Sequence, residues 1–339
     1  MNVRRGLISL LTSALLIGVT SCAAFPSRGL TQPTHSFTGL AGNDGPVLAV
    51  KIDDTNPAHP QVGIDKADVV YVEQVEAGLT RILAIFSSTI PDLIGPIRSV
   101  RISDIDLLSQ YGKVGFAYSG AQSKMHPVVK AANLIDLGAE RNPPTIYTRD
   151  PQRPSPVDMI LRAPELMAKA KTRYGSEIVS SHFMGWKFGK KPSGGIPVSS
   201  ITIHWPNAQY EARWSASERR WLLSHNGHAD IDTSGKQLGS PTLVIQKVLI
   251  TPSSYGDKFG GVTPLSQTVG SGSGYLLRDG EIFTLTWQRS TPDVPTTWRI
   301  DGSDASFSPG QIWFMLTDRE PTIRAIEEAT PEASPTKSK

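Results

Sequence analysis

The stretch Lys51–Arg101 constrains the fold most, because strand-forming apolar runs there are interrupted by charges that a core does not tolerate unpaired. Val69–Val75 and Ile82–Phe86 are rich in β-branched and large apolar residues. The EAGL turn between them carries Gly78 where a positive φ is required, so the pattern predicts a hairpin. Arg81, Arg98 and Arg101 stand at its edges. A guanidinium keeps its charge in a protein, so these arginines need carboxylate partners or an anionic ligand. Asp53, Asp68, Glu73 and Glu76 are the carboxylates at hand, with Tyr71 among them. The expected binding set is Asp53, Tyr71, Glu73, Glu76, Arg81, Arg98 and Arg101, gathered at the end of one sheet. Strand periodicity places Glu73 and Glu76 on opposite faces.

The N-terminus reads as a targeting segment. Arg4 and Arg5 precede the apolar run Leu7–Val19, and Val19-Thr20-Ser21-Cys22 fits a lipobox, whose cysteine takes a diacylglycerol before cleavage on its N-terminal side. About 13 apolar residues fall short of the roughly 20 needed to cross a bilayer. Cys22 is the single cysteine in the chain, so no intramolecular disulfide supports the fold. Without Arg4 and Arg5 the balance is 32 basic against 31 acidic residues, which argues against a nucleic-acid partner.

The run PQVGIDKADVVYVEQVEAGLTR followed by GPIRSVR resembles the YerB-like bacterial lipoprotein family, whose shared region is a domain of unknown function. A second piece, from GSGSGYLLRDGEIFTLTW to FSPGQIWFML, is similar to that family's smaller C-terminal domain. The resemblance implies an outward-facing, lipid-anchored protein of two domains, and brings no reaction with it. Pro156-Val157-Asp158 stands where relatives carry Pro-His-Asn, so no role of that histidine transfers.

The chain divides into a signal peptide at 1–21, a flexible tether at 22–45, an N-terminal domain at 46–197, a C-terminal domain at 198–320 and a disordered tail at 321–339. The fold class expected is α+β: a mixed-sheet α/β domain followed by a smaller, mostly antiparallel β domain, with the boundary in the string KFGKKPSGGIPVSS. Helices are predicted from Ser103, with a capping box to Asp106, and from Ser155, with Pro156 in its first turn and Asp158 as a cap. Asn226-Gly227 and Asp279-Gly280 mark hairpin tips. The glycines at 270, 272 and 274 precede a strand, which rules out a phosphate loop and leaves a turn or bulge. Most of Trp205, Trp214, Trp221, Trp287, Trp298 and Trp313 alternate as core residues.

His59, in a proline-rich loop, has no second histidine at ligand spacing, and a zinc role for His225 and His228 lacks two further ligands. No metal and no cofactor are therefore expected. The tether, the two domains and the absence of a recognisable metal, nucleotide or nucleophile motif favour a membrane-tethered binding protein whose partner is an envelope protein or wall polymer. The alternative is an envelope enzyme acting on a glycan or anionic polymer with Glu73 or Glu76 as acid or base.

Overall fold

The computed structural model of the protein describes residues 32–257 and 260–326. The expected signal peptide, Cys22, the first part of the expected tether and residues 327–339 lie outside them. The described residues are 45% strand and 15% helix, a mixed and mostly sheet fold with less helix than the sequence suggests. The strands that position the site are β1 (Leu48–Asp53), β2 (Val69–Gln74), β3 (Thr80–Phe86), β4 (Val114–Ala117), β5 (Leu134–Asp136), β6 (Thr242–Lys247), β7 (Gly270–Arg278), β8 (Glu281–Arg289) and β9 (Ile312–Thr317).

Across the sheet the hydrogen-bonded order is β5, β4, β1, β3, β2, β9, β6, β7, β8. β5, β4 and β1 run parallel, as do β2, β9 and β6, while the other neighbours are antiparallel. β2 therefore pairs with a strand some 240 residues downstream, at Val69 opposite Ile312. Side chains alternate across a strand. One layer of apolar residues contains Val50, Val72, Ile82, Ile245 and Trp313. The other contains Ala49, Tyr71, Leu83, Val244 and Phe314, with Leu107 and Leu108 of the helix α1 (Ile102–Ser109) packed on it.

The predicted hairpin is present, with a 3₁₀ turn at Glu76–Gly78 and φ values of 58° at Ala77 and 68° at Gly78. A Cβ at Gly78 would stand 2.5 Å from Pro206, so glycine serves both the backbone and the close approach. Asn226-Gly227 and Asp279-Gly280 also carry positive φ at hairpin tips, as expected. Gly270, Gly272 and Gly274 lie inside β7, where a Cβ at Gly272 would meet the Trp287 indole at 2.7 Å. All six tryptophans named above except Trp214 are buried.

Three local expectations need correction. The helix expected from Ser155 begins instead at Ala163, as α2 (Ala163–Tyr174), with Pro164 in its first turn. Met159–Arg162 is captured as a strand by Tyr147–Arg149 and Leu93–Ile94, and Asp158 pairs with Arg149 at 2.6 Å instead of capping. α1 is capped by the Asp104 carboxylate, which accepts from the Arg101 N–H at 2.6 Å, while Ser103 Oγ accepts from Ser266 N–H. The described part of the expected tether packs on the body: Phe37 is buried edge-on to Tyr111, and His35 Nε2 is 3.1 Å from Ser181 Oγ. At the other end Thr322–Ala325 pairs as a strand with Val198–Thr202.

Candidate functional site

Register gathers the charges. Arg81 is the cross-strand partner of both Asp53 on β1 and Glu73 on β2, and Lys51 stands one row behind. All four share the face on which α1 packs, since Ala49, Tyr71 and Leu83 of the same alternation belong to the apolar layer holding Leu107. β1 and β4 are parallel, and the carboxyl ends of parallel strands are where open sheets bind ligands. Segment Arg98–Arg101 crosses those ends, held by Arg98 N–H to the Lys51 carbonyl and by Ser119 N–H to the Arg98 carbonyl, 2.8 and 2.9 Å. Ser119 and Gly120, which follow β4, thus form the rim.

Two linked groups result. The first is sealed: the Lys51 ammonium donates to Glu73 Oε1 and, at 2.7 Å, to Asp104 Oδ1, and both Lys51 and Glu73 are 0% exposed. Burial pushes the Glu73 carboxyl up to about 7, with Lys51 opposing the rise and Asp104 adding to it. Since the folded value lies above the ordinary 4.5, the folded state holds a proton that the unfolded state releases. Stability from this group is complete below about pH 4.5 and lost as pH rises through about 7. Glu73→Gln, which stays neutral, is expected to match wild type in urea midpoint at pH 4 and to gain on it steadily up to pH 8. A difference that does not change with pH would contradict this.

The second group is open. Arg101 Nε donates to Glu76 Oε2 at 2.9 Å, and Glu76 Oε1 accepts from the Thr263 hydroxyl, supplied by the hairpin Leu249–Gly256/Val262–Gln267. These contacts hold the Glu76 carboxyl below its usual range despite burial, which acts the other way. Arg98 Nε lies 2.6 Å from Asp53 Oδ2, its side chain is 26% exposed, and among the described residues neither of its terminal nitrogens has a hydrogen-bond partner. Arg81, only 8% exposed, has no carboxylate within ion-pair distance among the described residues, and its Nη1 donates to the Ser99 carbonyl at 3.2 Å. Burial, reinforced by Arg101 and Arg98, pulls its basicity down to about 9. Its charge is thus held where the protein itself disfavours it.

Of the seven residues expected together, Asp53, Glu76, Arg81, Arg98 and Arg101 converge, and Glu73 joins them through Lys51, Asp104 and the Arg101 N–H. Glu73 and Glu76 do not sit on opposite faces, because the alternation ends at Gln74 and the turn brings Glu76 back beside Arg101. Tyr71 is not brought to the group: its hydroxyl lies 2.7 Å from Tyr111 Oη and its ring stacks on Phe314. Asp68 is also elsewhere, accepting from the Ser87 and Ser88 N–H groups. Asp104 and Thr263 were missed, since only the folded register shows what they touch.

Asp54, one residue beyond β1, turns to the opposite face. There it meets Thr80 and Tyr210, at 2.6 and 2.7 Å, and the two histidines His59 and His225, whose spacing along the chain offers no reason to pair them. Among the described residues Asp54, His59 and His225 are the group whose donors lie close enough to hold a metal ion.

The N-terminal domain of the family described as "Protein of unknown function (DUF3048)" matches residues 37–177, and that family's C-terminal domain matches residues 201–314. The chain belongs to this family. YerB of Bacillus subtilis (strain 168), which its name calls a lipoprotein, is 37% identical over 274 residues, covering 79% of this chain and 80% of its own. The crystal structure of YerB protein from Bacillus subtilis superposes with a TM-score of 0.72, covering 86% of this chain and 99% of that one, at 21% identity. That second likeness establishes the fold. Among the described residues, no helix is long and apolar enough to cross a membrane.

Proposed function

We propose that this chain is a lipid-anchored, extracytoplasmic envelope protein of two domains, 46–197 and 198–320, that binds a carboxylate- or phosphate-bearing wall polymer or envelope protein through Arg81 and Arg98. The observation that carries the reading is the charge balance: among the described residues the guanidiniums of Arg81, Arg98 and Arg101 meet only the carboxylates of Asp53 and Glu76. The surplus charge is Arg81, and the free fork of Arg98 beside it faces solvent. A planar fork with donors to spare suits bidentate recognition of a carboxylate or phosphate. Glu73, sealed against Lys51, supports architecture over acid–base work on a substrate.

The anchor rests on the lipobox at Cys22 and on the name of the related YerB. Cys22→Ala is expected to abolish incorporation of labelled fatty acid and to release the body from the membrane fraction or leave it unprocessed; wild type recovered unacylated from the cytosol would refute the anchor. For binding, the full chain is expected to co-sediment with a phosphate-rich wall polymer, and less so as salt is raised. Equal retention on an uncharged glycan would count against the site.

A further inference from the structure

The opposite face of the same sheet end holds a second polar group. The Asp54 carboxylate is fully buried, with Oδ1 accepting from Tyr210 Oη at 2.7 Å and Gln61 Nε2 at 3.1 Å, and Oδ2 from Thr80 Oγ1 at 2.6 Å. His59 Nε2 lies 3.4 Å from Oδ1, and His225 Nε2 lies 3.8 Å from Oδ2. The two imidazoles stack with centroids 4.4 Å apart and planes inclined by 14°, which brings both Nε2 atoms to the same carboxylate. Behind them, His59 Nδ1 is 2.9 Å from Asp230 Oδ1.

What this group lacks is as informative as what it has. Among the described residues, His59 Nε2, His225 Nε2 and Asp230 Oδ2 are buried and have no hydrogen-bond partner. A buried polar atom left without a partner costs about 1–3 kcal/mol, so two such Nε2 atoms turned to one carboxylate call for a further partner. They border a cavity of about 270 Å³ lined by Asn56, His59, His225, His228, Ala229 and Asp230. One donor atom each of Asp54, His59 and His225 lie within 4.8 Å of one another. Ligands about 2.0–2.2 Å from a tetrahedral ion stand roughly 3.3–3.6 Å apart, and the two Nε2–carboxylate distances here are 3.4 and 3.8 Å. An imidazole that binds a metal through Nε2 also gives its Nδ1–H to a carboxylate, the position Asp230 holds.

We propose that Asp54, His59 and His225 form a binding site for a divalent transition metal. Nε2 of each imidazole and one Asp54 oxygen are the ligands, Asp230 is a positioning residue for His59, and the fourth position opens on the cavity to water or an anionic ligand. Two imidazoles and one carboxylate suit Zn²⁺ or Co²⁺, and three protein ligands with an open position are the arrangement of reactive zinc sites, not of structural ones. The competing account is an imidazolium at His59 bridging Asp54 and Asp230 with no metal, which leaves His225 without a role.

Tag-free full chain, stripped with a chelator and shown folded by circular dichroism, would be titrated with Co²⁺ and then Zn²⁺. One equivalent of Co²⁺ is expected to give the intense visible absorption of a tetrahedral ion, and Zn²⁺ to displace it. His225→Ala is expected to weaken binding at least about 100-fold by removing a ligand. Should that variant unfold, Asp230→Asn decides, with an expected weakening of about 10–100-fold. Folded wild type that takes up neither ion stoichiometrically would leave the imidazolium bridge and overturn the site. So would a folded His225→Ala, or Asp230→Asn where it decides, that titrates as wild type does.

Discussion

Lys51→Met is expected to destabilise the protein by about 3–5 kcal/mol at pH 8, most of the margin of an ordinary domain. Among the described residues the ammonium is the one cation paired with Glu73, and it serves Asp104 as well, both without contact to solvent. Without it, two carboxylates face each other in a low-dielectric pocket, and one of them already resists ionisation. Urea denaturation should show the loss shrinking towards pH 4, where protonation relieves the repulsion. The double variant Lys51→Met/Glu73→Gln should recover a good part of it. A single variant within about 1 kcal/mol of wild type at pH 8 would mean that the sealed group is not an ion-paired support for the sheet end.

Arg98→Ala should give the opposite pattern: binding lost and folding kept. Its Nε pairs with Asp53, but Asp53 keeps the Thr55 N–H and hydroxyl as donors to Oδ1, so the carboxylate is not stranded. Among the described residues its terminal nitrogens have no hydrogen-bond partner, and they are what a ligand would lose. Retention on the anionic polymer is expected to fall by about 10-fold or more, since a desolvated charge-assisted pair is worth roughly 1.5–3 kcal/mol, while the melting temperature moves little. Arg98→Lys, which keeps the charge but not the fork, should restore only part of the binding. A variant that melts far below wild type yet binds normally when folded would make Arg98 a structural residue.

Local chemistry made some of this legible. Val69–Phe86 declares a hairpin through its β-branched runs and Gly78, and Asp279-Gly280 declares another. Which residues are charged near those strand ends was also readable, and so was the need to neutralise them. What was not readable is who neutralises whom. Thr263 reaches Glu76 across 187 residues, and Tyr210 reaches Asp54 across 156. His59 and His225 are adjacent only because Asp54 sits between two distant segments. The misplaced start of α2 has the same origin, since Met159–Arg162 gains more from pairing with remote strands than from the local signal of Ser155 and Pro156. Phe37 escaped notice because a lone aromatic in a polar run offers no periodicity.

A crystal structure of the folded protein in millimolar phosphate at pH 7 reaches the arginine site without any variant. An anion is expected between Arg81 and Arg98, with guanidinium nitrogens about 2.7–2.9 Å from its oxygens and the Asp53 and Glu76 pairs intact. The contradicting result is a site closed on itself: Arg81 turned onto an internal carboxylate, the Arg98 fork satisfied by protein groups, and phosphate found elsewhere or nowhere.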